Sequence, residues 1–288
     1  MCYNLSMKKY FLIIFFLALA PFKTSAVPIV RADFISPSYS SFSFVSAVVI
    51  DAESGKELFS YNADEKRPAA SLTKLLGAMV VLDSVKNLNK NIWLYGSDRV
   101  GGQSLGVKIR AQFRTIDLLY ASLMYSANNA ANALYRATGL SQKNFIKKMN
   151  AKAAKLGAAN SAFFDLSGIK KENVTTAADM AKIARAAFGY KKISEITSMQ
   201  EKTITAVIPR KNFYFKNTNK LVRDNDGSYV ITGSKTGFLG ENYVNLAVKI
   251  RTEKGNDVVV VVLGDKTLEE GFTNAKMLAD WTWSNYVF

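Results

Sequence analysis

The sequence has no histidine, and its only cysteine is Cys2. A Ser-His-Asp or Cys-His catalytic site is therefore excluded, because both need an imidazole. Zinc sites of the His-Glu-x-x-His type are excluded for the same reason. If the chain is a hydrolase, its nucleophile must be a serine or threonine, and its base a lysine, a carboxylate or a chain terminus. The residues indicate neither a metal nor an organic cofactor.

Long apolar runs are also scarce, and the longest lies at the N-terminus. Lys8 and Lys9 precede the apolar run 10–20, and the small residues 24–26 follow it. This order is typical of a signal peptide, so we predict one over 1–26 and an extracytoplasmic protein, in the periplasm or at the cell-wall face. The alternative is an uncleaved signal segment, which would be the only attachment to a membrane.

Acidic residues are few relative to basic ones, and the formal net charge is +15. A basic surface favours anionic partners such as nucleic acid, anionic lipid or acidic wall polymers. The lysines and arginines are spread along the chain, however, and form no block of five or six. No zinc-finger spacing or aromatic-basic single-strand motif is present, so we expect no nucleic-acid partner.

The order of predicted elements is strands, then helices, then strands and a closing helix. The elements are strands 44–51 and 57–61, helices 71–85, 116–124, 129–135, 144–156 and 177–188, strands 243–250 and 257–263 around a turn at 253–256, and helix 267–286. Thr115, Ser141 and Thr176 are predicted N-caps. This order predicts an α+β fold: an antiparallel sheet flanked by helices, with an all-helical lobe inserted at roughly 86–190. We expect a leader over 27–43 and one catalytic domain over 44–288.

The first candidate motif is Ser71-Leu72-Thr73-Lys74, at the start of a predicted helix. Positions i and i+3 share a helix face, so the hydroxyl and the amine can meet. A neutral lysine can take the serine proton if burial or a nearby cation lowers its pKa. The motif is weak alone, because Ser6/Lys9 and Ser167/Lys170 have the same spacing.

The second candidate motif is Ser126-Ala127-Asn128, between two predicted helices. A hydroxyl and an amide two residues apart in a turn can point in the same direction. The competing interpretation is ordinary capping at a helix junction.

The third candidate motif is Lys235-Thr236-Gly237, which follows the strand-like segment 229–233. It predicts an edge strand that presents a cation and a hydroxyl, with Gly237 allowing close approach of a substrate backbone. A plain strand end with a solvated lysine is the alternative. A phosphate-binding loop is excluded because the glycines are spaced wrongly.

The three motifs together, in this order, resemble those of the serine D-Ala-D-Ala peptidases, the low-molecular-mass penicillin-binding proteins. The likeness extends from about residue 44 to 286. It includes the segments 67–74, 117–130, 156–168 and 217–221 around and between the motifs. The resemblance implies a DD-peptidase/β-lactamase-like fold, peptidoglycan stem peptide as substrate, and β-lactams as covalent inhibitors.

The resemblance also implies catalytic roles for four residues. Ser71 would attack the peptide carbonyl and Lys74 would take its proton. Ser126 and Lys235 would relay a proton to the leaving amine, and water would then hydrolyse the acyl-enzyme.

Substrate-binding roles are implied for the residues beside them. Asn128 would hold the substrate amide, and Thr236 would bind a substrate carboxylate. Gly237 belongs to the same motif, and the backbone N–H of Phe238 would form the oxyanion hole with that of Ser71. The implied activity is that of a D-Ala-D-Ala carboxypeptidase.

Three positions depart from the family pattern, at Leu239, Asn242-Tyr243 and Gly271. Many carboxypeptidases carry an arginine at the position of Gly271 to hold the terminal carboxylate; Lys266 or Arg251 would have to replace it. These departures keep a cross-link endopeptidase open as the alternative. A serine β-lactamase and an inactive wall-binding protein are further alternatives, but the expected deacylation segment Glu-x-x-Leu-Asn is absent and all three motifs are intact.

Overall fold

The computed structural model describes residues 27–225, 227–251 and 255–288. The predicted signal peptide 1–26 lies outside the described residues, as do positions 253 and 254 of the predicted turn. Within the described ranges, no helix is long and apolar enough to cross a membrane.

The strands and α-helices of the described residues are numbered in chain order. The strands are β1 (Ile29–Val30), β2 (Ser46–Asp51), β3 (Glu57–Tyr61), β4 (Arg67–Pro68), β5 (Asn91–Tyr95), β6 (Arg110–Arg114), β7 (Val174–Thr175), β8 (Glu201–Ala206), β9 (Lys211–Lys216), β10 (Val230–Phe238), β11 (Val244–Arg251), β12 (Asp257–Asp265) and β13 (Tyr286–Val287). The α-helices are α1 (Thr73–Ser84), α2 (Thr115–Leu123), α3 (Asn128–Ala133), α4 (Gln142–Lys155), α5 (Ala177–Gly189), α6 (Lys191–Thr197), α7 (Lys220–Arg223) and α8 (Leu268–Asn285).

The central sheet has five strands in the order β10-β11-β12-β2-β3, and all its neighbours are antiparallel. β12 pairs with β2, with Val260 opposite Val49, so the last strand of this sheet joins the first hairpin. The predicted α+β fold, with its first and last strands together, is confirmed. β10 is an edge strand, and its outer side therefore remains available for a bound peptide.

Both faces of this sheet are covered, so β12 is a nearly continuous run of buried valines. Alternate residues point to opposite faces. Val259 and Val261 pack in one cluster with helix α1, whereas Val258, Val260 and Val262 pack against α8. Helix α8 begins at a capping box in which Glu270 N donates to Thr267 Oγ1 and Thr267 N donates to Glu270 Oε2.

The segment between β3 and β10 carries most of the helices, but it is not all-helical as predicted. β5 and β6 form a two-stranded antiparallel sheet within 86–190, and β4 pairs with β7. Both β5 and β6 alternate buried and exposed side chains over five residues. This strand period was missed because the two segments are short and are separated by a long loop instead of a tight turn.

Two of the three predicted helix caps are confirmed and one is wrong. Ser141 accepts from Asn144 N, and Thr176 accepts from Asp179 N. Thr115 is instead the first residue of α2, and its hydroxyl donates to Lys90 O at 2.8 Å. The hydroxyl thus fixes the helix to the segment before β5 and caps nothing.

Residues of the predicted leader pack against the end of the chain. β1 pairs with β13, and Trp281 Nε1 donates to Ile35 O at 2.8 Å. The Phe42 ring stacks on Phe44 with centroids 4.8 Å apart. This segment therefore adds to the apolar cluster that lies under α8.

Candidate active site

Ser71 lies in a single 3-10 turn, Ala70–Leu72, that leads directly into α1. Ala70 has a φ of +49°, a left-handed conformation that is unfavourable for a residue with a Cβ. Such strain is tolerated where the surrounding structure imposes it, and it clusters at functional sites. One helical turn later, Lys74 Nζ lies 2.7 Å from Ser71 Oγ. The predicted Ser-Lys pair is therefore in hydrogen-bond contact.

Lys74 is 1% exposed and contacts three oxygen atoms. Its Nζ lies 2.7 Å from Ser71 Oγ, 2.7 Å from Asn128 Oδ1 and 2.6 Å from Ser167 O. Asn128 Oδ1 and Ser167 O can only accept, so they hold two N–H groups of a neutral amine. The remaining lone pair is then directed at the Ser71 hydroxyl.

The electrostatic surroundings favour this neutral form of Lys74. Burial lowers the pKa of Lys74 well below its usual range, and the charge of Lys235 lowers it further, while Asp165 partly opposes the shift. A lysine whose pKa is lowered in this way can act as a general base.

Ser126 and Lys235 form a second serine-lysine pair. Lys235 Nζ donates to Ser126 Oγ at 2.9 Å and to Thr236 O at 2.9 Å. Lys235 is 1% exposed, and burial lowers its pKa to about 7. Ser126 has a φ of +62°, so its backbone is strained as at Ala70. A lysine with this pKa can supply or accept a proton at neutral pH through the Ser126 hydroxyl.

Asn128 begins helix α3, and both ends of its amide are held. Its Oδ1 accepts from Lys74, and its Nδ2 donates to Gly101 O at 2.9 Å. Its backbone N donates to Gln103 O at 2.7 Å. The loop before β6 therefore orients Asn128, and Asn128 orients Lys74, a contact that the sequence did not indicate.

The third motif lies at the C-terminal half of β10. The hydroxyls of Thr236 and Thr218 are 2.7 Å apart. A Cβ on Gly237 would lie 3.1 Å from Ala70 Cβ and 3.3 Å from Asn245 Cβ, so the glycine permits close packing on the nucleophile turn. The close approach of a substrate backbone at Gly237 stays a prediction. The Phe238 side chain is 59% exposed at the rim of the cleft.

The loop 165–173 also contributes to the site, through contacts that the sequence did not indicate. The Asp165 carboxylate accepts from the backbone N–H groups of Ser167 at 2.8 Å, Gly168 at 2.5 Å and Lys170 at 2.8 Å. Asn173 Nδ2 also donates to Asp165 Oδ1 at 3.2 Å. This network holds Ser167 O against Lys74.

The competing pair Ser167/Lys170 does not form. Ser167 Oγ donates to Asp165 at 3.3 Å, and Lys170 is exposed. Only a backbone carbonyl of this motif enters the site, and a carbonyl leaves no signature in the sequence.

Arg251 does not replace the arginine expected at Gly271. Arg251 pairs with Asp257 at 2.8 Å and lies opposite Val230, at the other end of β10 from Gly237. A Cβ on Gly271 would lie 3.2 Å from Asp265 Oδ2, a buried oxygen that has no hydrogen-bond partner among the described residues.

The site and the fold define a class of enzyme. A serine held by one buried lysine, together with a second serine-lysine pair whose lysine lies on an edge strand, is the apparatus of a serine hydrolase that acts through an acyl-enzyme. The family model for D-alanyl-D-alanine carboxypeptidases, peptidase S11, matches residues 35–267, and the chain belongs to this family.

Similar proteins carry three different activity names. A D-alanyl-D-alanine endopeptidase of Haemophilus influenzae is 34% identical over 86% of this chain and 85% of its own length. The D-alanyl-D-alanine carboxypeptidase DacF of Bacillus subtilis is 28% identical over 84% of this chain and 62% of its own length. The Streptomyces K15 DD-transpeptidase structure has a TM-score of 0.79 at 25% identity, covering 87% of this chain and 99% of that one.

Proposed function

We propose that this serine peptidase is a D-Ala-D-Ala carboxypeptidase that trims peptidoglycan stem peptides through an acyl-enzyme on Ser71. The observation that carries the proposal is the 2.7 Å contact between Ser71 Oγ and Lys74 Nζ, whose other two contacts are both to acceptors. The catalytic unit we assign is 44–288, with the helical lobe at roughly 86–190 inserted in it.

In the acylation step, the Ser71 hydroxyl proton passes to Lys74 Nζ while Oγ bonds to the substrate carbonyl carbon. The oxygen of that carbonyl becomes an oxyanion, which we assign to the backbone N–H groups of Ser71 and Phe238. The bond from carbon to the leaving nitrogen then breaks. The nitrogen takes the Ser126 hydroxyl proton, and Lys235 replaces it across the 2.9 Å contact.

Deacylation reverses the roles, because water replaces the amine as the attacking group. Its proton passes to the same basic groups, and the Ser71 oxygen is released with a proton. We assign Asn128 and Thr236 to substrate binding, Asn128 through the amide before the scissile bond and Thr236 through a carboxylate on the leaving side.

Cleavage of peptide cross-links is the second candidate activity. The absence of an arginine at Gly271 favours it, since the terminal carboxylate of a carboxypeptidase substrate then lacks a fixed cation from this position. The endopeptidase name of the Haemophilus influenzae relative supports it as well. A cross-linked substrate carries a larger leaving group on that side and has less need of a carboxylate clamp.

We place the reaction outside the cytoplasm, on the periplasmic or cell-wall face. The proposed signal peptide over 1–26 supports this location. The substrate class supports it too, because stem peptides are part of the wall.

Mass spectrometry separates the two activities. The protein without residues 1–26 is incubated with a pentapeptide ending in D-Ala-D-Ala and, separately, with a cross-linked peptide dimer. Release of free D-Ala from the pentapeptide establishes the carboxypeptidase, whereas cleavage of the dimer alone establishes the endopeptidase.

Covalent labelling tests the nucleophile itself. A β-lactam is expected to form an ester at Ser71, because its strained amide meets the Ser-Lys pair as a substrate would. Ser71→Ala should lose all label, and Ser167→Ala, the serine of the competing motif, should keep it. Label that survives Ser71→Ala would overturn the assignment.

A further inference from the structure

The rim of the active-site cleft carries a tyrosine ring that contacts two cations. The guanidinium carbon of Arg67 lies 5.6 Å from the centre of the Tyr243 ring, and Lys171 Nζ lies 4.9 Å from the same centre. Both distances are typical of cation–π contacts. We call Arg67, Lys171 and Tyr243 the rim cluster.

Backbone pairing places the rim cluster beyond Phe238, at the end of β10 where the chain turns into β11. Tyr243 directly precedes Val244, which pairs with Phe238. Arg67 pairs with Thr175 in the β4–β7 sheet and donates from Nη2 to Asn242 O at 2.9 Å. All three members thus meet at one end of the edge strand.

The proton relay determines which half of the substrate faces this end. The leaving amine must reach the Ser126 hydroxyl, which contacts Lys235 near the middle of β10. A peptide lying along the edge strand with its amine there directs its acyl half past Gly237 and Phe238. Since an extended chain advances about 3.3–3.6 Å per residue, the second and third residues before the scissile bond reach the rim cluster.

The charge at the rim cluster is only partly compensated. Lys171 is exposed and has no ion pair among the described residues. Arg67 is partly buried and has one acidic partner among the described residues, Glu65, at 3.3 Å. The Tyr243 ring holds the Lys171 amine near the cleft, which lowers the entropy lost when an anion binds.

We propose that the rim cluster is a subsite for a carboxylate on the acyl half of the substrate, two or three residues before the scissile bond. The proposal rests on the proposed peptidase function and adds a preference for acidic peptides. Lys171 is its specificity-determining residue, whereas Arg67 also supports the β10–β11 turn.

The experiment compares synthetic N-acetyl peptides that end in D-Ala-D-Ala and carry either glutamate or glutamine at the second or third position before the scissile bond. At low salt, kcat/KM should favour the glutamate peptide by roughly 5-fold at one of these positions, the effect of an exposed ion pair worth about 1 kcal/mol. Lys171→Met should reduce this preference to near parity. Lys170→Met, the matched control, removes a neighbouring exposed lysine that the rim cluster does not include, and should keep it.

A second readout does not depend on peptide hydrolysis. The rate of acylation is measured with two penicillins whose acylamino chains end in a carboxylate or in the corresponding amide. Lys171→Met should slow only the carboxylate compound. If the wild-type protein cuts no peptide but keeps this difference, the proposed function fails and the subsite stands. Equal rates for acid and amide in the wild-type protein, or a preference that Lys171→Met leaves unchanged, would overturn the subsite.

Discussion

Lys74 and Lys235 are buried without a carboxylate in hydrogen-bond contact in the part of the chain that the structure describes, and this isolation sets their chemistry. The partners of Lys74 are hydroxyl, amide and carbonyl oxygens. Those of Lys235 are the Ser126 hydroxyl and the Thr236 carbonyl. Neutral acceptors do little to favour the charged form, so desolvation dominates and lowers the pKa of both lysines.

The charge of Lys235 should be visible in the pH dependence of acylation. Lys74 must be neutral to act as base, so its pKa sets the pH at which the acylation rate falls on the acidic side of the pH–rate profile, the acid limb. Lys235 lowers that pKa, and its removal in Lys235→Met should move the acid limb to higher pH as well as slow the reaction. Stopped-flow acylation by a chromogenic cephalosporin over a range of pH around neutrality measures the limb. Lys235→Arg keeps the charge and should keep the limb; an unmoved limb in Lys235→Met would show that the two lysines are not coupled.

Asp265 should make the unfolding free energy depend on pH below neutrality. Its Oδ1 accepts hydrogen bonds from Ser43 and Asn274, whereas its Oδ2 is buried without a partner among the residues described. Burial raises the pKa of Asp265 to about 6. Between about pH 4 and 6 the folded state holds a proton that the unfolded state has lost, so unfolding free energy falls as pH rises through this window. The cost reaches roughly 3 kcal/mol above pH 6, at about 1.36 kcal/mol per pKa unit.

Asp265→Asn should remove that slope, because the amide does not titrate. Urea unfolding measures the unfolding free energy of both proteins below and above this pH window. The change in free energy across the window is then compared between the two proteins, so that the contributions of other titrating groups cancel. An identical pH dependence in the two proteins would mean that Asp265 is already ionised without cost.

At the residue scale, the sequence predicted the groups to which we assign the reaction but not the groups that hold them. Ser71, Lys74, Ser126 and Lys235 carry side chains whose chemistry and order are visible in the sequence. The hold on Lys74 by Ser167 is a backbone contact, and backbone carbonyls are the same in every residue. The role of Asp165, which accepts five hydrogen bonds within its own loop, could not be separated from that of an ordinary turn aspartate.

At the scale of elements, the backbone of the loop 165–173 lies directly against the nucleophile turn: Ala69 N donates to Asn173 O at 2.7 Å. A Cβ on Gly168 would lie 1.8 Å from Ala70 O, a distance that only backbone movement can relieve. Gly168 also has a φ of +81°. A glycine is therefore needed at this position for two reasons: the left-handed backbone of the loop and its close contact with Ala70, the residue before Ser71.

Gly168→Ala should separate these two effects when compared with Gly157→Ala. Gly157 has a φ of +75° and open space around its Cβ position. Both variants should lose about 1–2 kcal/mol of unfolding free energy from left-handed backbone. Gly168→Ala should lose more, and its acylation by penicillin should slow by roughly 10-fold or more as Ala70 shifts, whereas Gly157→Ala should acylate normally. Equal acylation rates would show that the loop adapts without moving Ser71.

Element prediction succeeded where the signal is local. The hydroxyls of Ser141 and Thr176 each accept from a backbone N–H three residues later. Such a cap forms within one segment of the chain, so the sequence of that segment is enough to predict it. The same rule predicted Thr115 as a cap, and this prediction was wrong. Its hydroxyl donates to Lys90 O, an acceptor that tertiary folding brings near, and does not accept from the helix. The β5–β6 pair depends on two segments separated by a long loop, and its pairing had no local signal.

For the whole molecule, the active site joins segments from the beginning, middle and end of the chain. Ser71 precedes a helix on one face of the sheet, Ser126 lies between α2 and α3, and Lys235 lies on β10. The closure of β12 on β2 brings these segments into one body. The order of elements predicted this closure, because strands at both ends of a chain can bury their apolar faces most fully in one shared sheet.

Burying the charge of Lys235 in this site should lower the unfolding free energy of the protein. Replacing Lys235 with an uncharged residue should therefore raise it. Lys235 has a pKa of about 7 in the folded state and 10.5 as the ordinary value, so between these pH values the unfolded state binds the extra proton. The penalty for burying the charge is thus complete below about pH 7 and disappears as pH rises toward the ordinary value. Lys235→Met fills similar space without charge, and it should raise the unfolding free energy by about 2–4 kcal/mol at roughly pH 6, with a smaller gain at roughly pH 9.

Urea denaturation at these two pH values measures this gain, and the inactive variant Ser71→Ala is the control, since it removes catalysis without removing a buried charge. Ser71→Ala should show no comparable gain at the lower pH. If Lys235→Met is less stable than the wild-type protein there, the contacts of Lys235 with Ser126 and Thr236 outweigh its desolvation, and the lysine holds the two sides of the cleft together. If it is more stable, the fold tolerates an unfavourable buried charge, which is what the proposed proton transfer at Ser126 requires.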